Sequence, residues 1–224
     1  MRFLRDNGLS LFFFAIFIAA LGGQLIVGHT DFNHAQIAHH DEAISLGRYL
    51  LSSSYWADVM ENWQSEYLQF TLYILATVYL IQRGSNESKP PGKAGPGSDE
   101  EQRVGASAGE RSPRWARVGG LRTAIYSHSL VTVMCLIWLA SWFAQAVTGR
   151  ADYNANQLDH QEAALSLGQY LGTSDFWDRT LQNWQSEFLA VGSMAIFSVY
   201  LRTRGTTQSK PVGAPHEETG TEGG

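Results

Sequence analysis

Asn62-Trp63-Gln64-Ser65-Glu66 returns 121 positions later as Asn183-Trp184-Gln185-Ser186-Glu187, and the agreement extends well beyond the pentapeptide. Residues 31 to 84 align with 152 to 205 at that offset without a gap. The matches include Asp31/Asp152, Asn33/Asn154, Gln36/Gln157, His39/His160, Tyr49-Leu50/Tyr170-Leu171 and Trp56/Trp177. The register reaches back to Gln24/Gln145 and Gly28/Gly149, and forward to Ser88-Lys89-Pro90/Ser209-Lys210-Pro211. Whatever one copy folds into, the other must be able to fold into as well.

Each copy holds two apolar runs, at about 9–28 and 63–81 in the first and 130–149 and 184–201 in the second. An α-helix needs roughly 20 residues to cross about 30 Å of hydrocarbon. The later run of each pair reaches that length only if it starts at Trp63 or Trp184, which draws Glu66 and Glu187 into the edge of the membrane. The first run follows Arg2 and Arg5 and precedes small residues, as a leader peptide would. It continues through Leu25, Ile26 and Val27, however, and its counterpart is internal, so it is expected to remain as a span.

Arg and Lys set the expected orientation. Arg2, Arg5, Arg83, Lys89, Lys93, Arg114, Arg117, Arg122, Arg202, Arg204 and Lys210 flank the runs on one side. The segments on the other side carry Asp31, Asp41, Glu42, Asp58 and Glu61, then Asp152, Asp159, Glu162, Asp175 and Asp178, opposed only by Arg48, Arg150 and Arg179. The positive-inside rule puts both termini and the central linker in the cytoplasm. Both copies then enter the membrane in the same sense, which implies a pseudo-twofold axis along the membrane normal.

The expected fold is an all-α membrane protein with four transmembrane helices in two tandem repeats, 1–84 and 122–205. Asn33 and Gln36, like Asn154 and Gln157, have the spacing of a capping box. An outward-facing amphipathic helix is therefore expected between the spans of each repeat, ending near Ser52 to Ser54 in the first. Trp56, Met60, Trp63, Tyr67, Phe70 and Ile74 recur at spacings of four and three, predicting one rod of about 28 residues, or about 42 Å. Residues 85–121 and 206–224 are rich in Gly, Pro, Ser and Glu without apolar periodicity, and are expected to be a flexible linker and a disordered tail.

The pentapeptide at the head of a span, the Ser-Lys-Pro after an Arg-Gly stop and the duplicated plan resemble a family of bacterial integral membrane proteins known only as a domain of unknown function. The resemblance covers most of residues 1–90 and 125–211. It implies a bacterial plasma-membrane location, and it brings neither an activity nor site residues.

The polar residues are therefore weighed on their own chemistry. Gln24 and Glu66 each lie about one helical turn below the outer surface, and Gln145 and Glu187 repeat the arrangement. Asn62 and Glu66 share a helix face, as do Asn183 and Glu187. One reading makes Gln24, Asn62, Glu66, Gln145, Asn183 and Glu187 a layer binding an ion or small solute. The other makes Trp56, Trp63, Trp177 and Trp184 interfacial anchors, with the Gln-Ser-Glu residues of each pentapeptide capping and hydrogen-bonding helices where the chain enters lipid. His39 and His160 are the weak candidates for a metal, because His-x-Asp and His-x-Glu pairs point to different sides of a helix.

Cys135 is the one cysteine, which excludes an intrachain disulfide, and it is expected to be a buried, inert thiol. The formal net charge of −5 gives no reason to expect nucleic acid as a partner. Nucleophile and phosphate-loop motifs do not occur, so no cofactor and no enzymatic activity are expected. The expected partners are the lipid bilayer and, through small residues such as Gly22, Gly23 and Gly192, a second copy or another membrane protein. These features predict a non-enzymatic scaffold or binding protein, with a small channel or carrier as the alternative and metal chemistry a weaker third.

Overall fold

The computed structural model describes residues 2–220; the final four residues of the expected tail lie outside them. Every regular element among the described residues is helical. The principal helices are α1 (Gly8–Ala38), α2 (Leu46–Leu50), α3 (Ser53–Tyr79), α4 (Ser129–Asp159), α5 (Leu167–Tyr170) and α6 (Ser174–Tyr200). Both ends of α4 and α6 fall 121 positions after those of α1 and α3, so the copies agree in structure to the residue at these boundaries. The rod expected through Trp56 and Ile74 is α3, with 27 residues.

Helices α1 and α4 have 31 residues each and are long and apolar enough to cross a membrane. None of the most apolar window of α1 is buried; Phe12, Phe13, Phe14, Ile16 and Ile18 all stand exposed. Each such side chain forgoes about 1.5–3 kcal/mol of burial if its surroundings are water.

The outward amphipathic helix is not formed. Asn33 and Asn154 do not start helices; they sit near the C-terminal ends of α1 and α4, which continue about ten residues beyond Gly28 and Gly149. Both helices close in a Schellman motif. Asp41 N donates to Gln36 O at 2.8 Å and Glu162 N to Gln157 O at 2.8 Å, around His40 (φ 67) and Gln161 (φ 60).

The chain then runs extended to the short helices α2 and α5. It is held there by the Asn33 side chain, which donates to Ile44 O at 3.0 Å and accepts from Ile44 N at 2.8 Å. Asn154 grips Leu165 in the same way, at 2.9 and 2.8 Å. A carboxamide matches a peptide group donor for acceptor, so one side chain can satisfy both backbone groups of an extended residue. The sequence expectation failed because the Asn-x-x-Gln spacing suits both roles.

The chain forms two compact units. One comprises residues up to Met60 together with Ala144–Leu171. Its core contains Tyr49, which packs against Tyr55 at 5.6 Å, Phe32 at 5.4 Å and His29 at 5.8 Å between ring centres. Tyr170 is fully buried and packs against Tyr153 at 5.6 Å. Burial raises the Tyr49 phenol above its ordinary value, with Asp58 the next cause, and burial also raises Tyr55.

The other unit comprises Glu61–Phe143 together with the described residues from Gly172. It includes the expected linker, which carries short helices at Asp99–Gln102 and Arg114–Arg117, and a further helix at Gly120–Ser127 that runs from its end into the second repeat. It also includes the described part of the expected tail, where Gly84 N donates to Thr219 Oγ1 at 2.8 Å and Gly220 N to Ser85 O at 3.0 Å.

Candidate functional site: a polar seam and a cavity

Within the second unit, α3 and α6 are joined by a row of polar contacts whose residue numbers rise together, so the helices run in the same direction. Glu61 accepts from Arg179 at 3.2 Å and from Asn183 at 2.7 Å. Gln64 Oε1 accepts from Trp184 Nε1 at 2.9 Å, and Ser65 Oγ donates to Glu187 Oε1 at 3.5 Å. Gln64 and Ser65 are almost wholly buried. The spacings of three and four keep these groups on one helix face, and each contact spends a polar group that would be costly facing hydrocarbon.

The seam takes up some of the polar residues singled out by the sequence. Asn183, Trp184 and Glu187 belong to it, whereas Asn62 and Glu66 are exposed. In the other unit Gln24 is exposed and Gln145 is buried. Trp56 donates its indole N–H to Leu50 O at 2.9 Å, Trp63 is half-buried and Trp177 is exposed. His39 is the exposed residue that caps the C-terminus of α1, and His160 Nδ1 lies 2.8 Å from Asn156 O.

Sequence reasoning missed Glu61 and Arg179. The signal was their divergence between copies: Arg179 stands where the first copy has Asp58, and Glu61 where the second has Gln182. An aromatic group also went unremarked. Trp142 lies 5.8 Å from Trp138, 6.1 Å from Trp184 and 6.2 Å from Phe176 between ring centres, while the first copy has Phe17 and Leu21 at the two added tryptophans.

After α3 and α6 the chain folds back in matched loops. Ser88 Oγ accepts from Gln82 N at 2.9 Å, and Ser209 Oγ from Thr203 N at 3.1 Å. Lys89 donates to Gly95 O. Lys210 is buried and donates to the carbonyls of Pro215, His216 and Glu218 at 2.9, 2.8 and 2.9 Å. Burial, then the nearby Arg202 charge, hold its ammonium below the usual lysine range. The Ser-Lys-Pro of each copy thus works as a staple. Asn86 Nδ2 donates to Thr207 O at 3.3 Å, a contact between equivalent positions of the two copies.

A cavity of about 290 Å³ lies between α3, α6 and these loops. Tyr73 donates its hydroxyl to Glu87 at its edge.

An all-helical chain with two helices fit to cross a membrane is the class these features define. The chain belongs to the family described as Domain of unknown function (DUF6766), which matches residues 1–221. No curated protein and no solved structure matches it.

Proposed function

We propose that the protein is a non-enzymatic, multi-pass scaffold or binding protein of the bacterial plasma membrane, with α1, α3, α4 and α6 as spans and both termini cytoplasmic. The carrying observation is the contrast between α1, apolar and without a buried residue, and the α3–α6 seam, where polar groups meet one another. A bilayer satisfies α1 without further protein, and a seam of matched polar groups is what lateral helix pairing requires.

The carrier reading keeps a foothold in Glu66 and Glu187, the carboxylates that both copies carry at the head of the later apolar run. Two measurements separate the readings. In the first, Glu66→Gln with Glu187→Gln is melted in detergent: a lower melting temperature supports helix pairing, and a higher one supports a carboxylate held for transport. In the second, single cysteines in a Cys135→Ser background are labelled in intact cells. Labelling at Ala43 and Ala163 from outside, with Ala94 and Ala214 reached only after permeabilisation, is expected; any other pattern overturns the four-span topology.

A further inference from the structure

The cavity beside Tyr73 has a property that neither the scaffold nor the carrier reading uses. Its walls come from the same four positions of each copy. Gln69 faces it together with its equivalent Ala190, and Phe70 together with Val191. Tyr73 is likewise matched by Met194, and Glu87 by Gln208. A space bounded by equivalent positions lies where the two copies meet, which is where duplicated membrane proteins place their ligands.

The copies have diverged in opposite senses around it. The first contributes an amide, a phenol and a carboxylate; the second contributes Ala, Val and Met, with Gln208 as its one polar group. The cavity is therefore amphiphilic. Its polar side is also biased toward accepting hydrogen bonds. Among the described residues only the Tyr73 hydroxyl donates to the Glu87 carboxylate, and the Gln69 Oε1 is buried there without a hydrogen-bond partner. Among the described residues that line the cavity there is no Lys, Arg or His to neutralise Glu87. The volume has room for on the order of ten water-sized groups.

We propose that this cavity binds a primary alkylammonium, its ammonium held by Glu87 and Gln69 and its hydrocarbon against Phe70, Val191 and Met194. A primary ammonium supplies both a positive charge for the carboxylate and N–H donors for the amide oxygen. A quaternary ammonium brings the charge without the donors, and a fatty alcohol brings one donor without the charge. The site goes beyond the scaffold reading and stands whether or not the protein binds a partner at its outer surface.

The test is isothermal titration of the purified full chain in a non-ionic detergent with octylammonium, octyltrimethylammonium and octanol. Saturable one-to-one binding of octylammonium is expected, at least tenfold tighter than either of the others. Glu87→Gln and Gln69→Leu are each expected to weaken it at least tenfold. If Glu87→Gln fails to fold because Tyr73 loses its carboxylate, Gln69→Leu decides alone. Equal heats for the parent and Gln69→Leu would show partition into detergent, and equal affinity for the quaternary amine would remove the donor argument; either overturns the proposal. Displacement of octylammonium by phosphatidylethanolamine would identify a lipid headgroup as the source, and its absence a free amine. The assay runs in detergent, so its outcome is independent of the topology labelling.

Discussion

Arg179 Nη1 lies 3.2 Å from Glu61 Oε2, and both side chains are largely shielded, at 30% and 14% exposed. The same carboxylate accepts from Asn183 through its other oxygen, and Arg179 also approaches Asp175 at 3.6 Å. Glu61 is therefore the junction of two donors. Glu61→Ala is expected to cost about 1–3 kcal/mol, because Arg179 and Asn183 lose an acceptor they share. Glu61→Gln, which keeps an oxygen for Asn183, costs less. Melting temperatures in detergent for the two variants test the order.

The αL residues that end α1 and α4 offer a gain in stability. His40 and Gln161 adopt φ values of 67 and 60, a region that costs a side chain about 1–2 kcal/mol and glycine little. His40→Gly and Gln161→Gly are each expected to raise stability by about 0.5–1 kcal/mol, after the greater backbone entropy of unfolded glycine is subtracted. Chemical denaturation in detergent would show it.

Two glycines of the first unit are set by tyrosines. A Cβ at Gly149 would meet the Tyr170 hydroxyl oxygen at 2.6 Å, and one at Gly28 would meet that of Tyr49 at 2.5 Å. Gly149→Ala is expected to destabilise by about 1–3 kcal/mol, since the buried Tyr170 ring has little freedom to retreat. Gly168→Ala, whose added methyl meets nothing within 4 Å, is the control and should not lower the melting temperature.

Alkaline pH should weaken the first unit. Tyr49 and Tyr55 are both raised above the ordinary phenol value of 10.0 by burial, and Tyr49 further by Asp58. The fold therefore favours the protonated phenols, and their contribution is fully present below about pH 10 and lost as pH rises through the raised values. A melting temperature that falls above pH 10, and falls less steeply in Tyr55→Phe, is the expected result.

The sequence made the long helices legible because apolar length and the shared offset are additive signals that survive any loop conformation. Trp56 through Ile74 marked α3, and its 27 residues match the expected rod closely. The segment between the long helices of each copy was misread for a local reason. Asn33 and Gln36 show the pattern of a helix start, and only the return of the Ile44 backbone to the Asn33 carboxamide decides that Asn33 closes a loop instead. The candidate polar residues were legible as types but not as partners. Equal motifs suggested equal surroundings, yet Asn62 and Glu66 are exposed while Asn183 and Glu187 lie on the seam. The deciding information sat at unequal positions, Asp58/Arg179 and Glu61/Gln182, where a search for likeness does not look.

The inequality at Glu61 and Arg179 bears on how such a chain can assemble. Two first copies set side by side would bring Glu61 against Asp58, acid on acid, and two second copies would leave Arg179 opposite the neutral Gln182. Only an unlike pair sets Arg179 opposite an anion on the facing helix. Carrying both halves on one polypeptide delivers them in equal number to the same place, so the correct partner is always the nearest one and neither half is left to pair with its own kind.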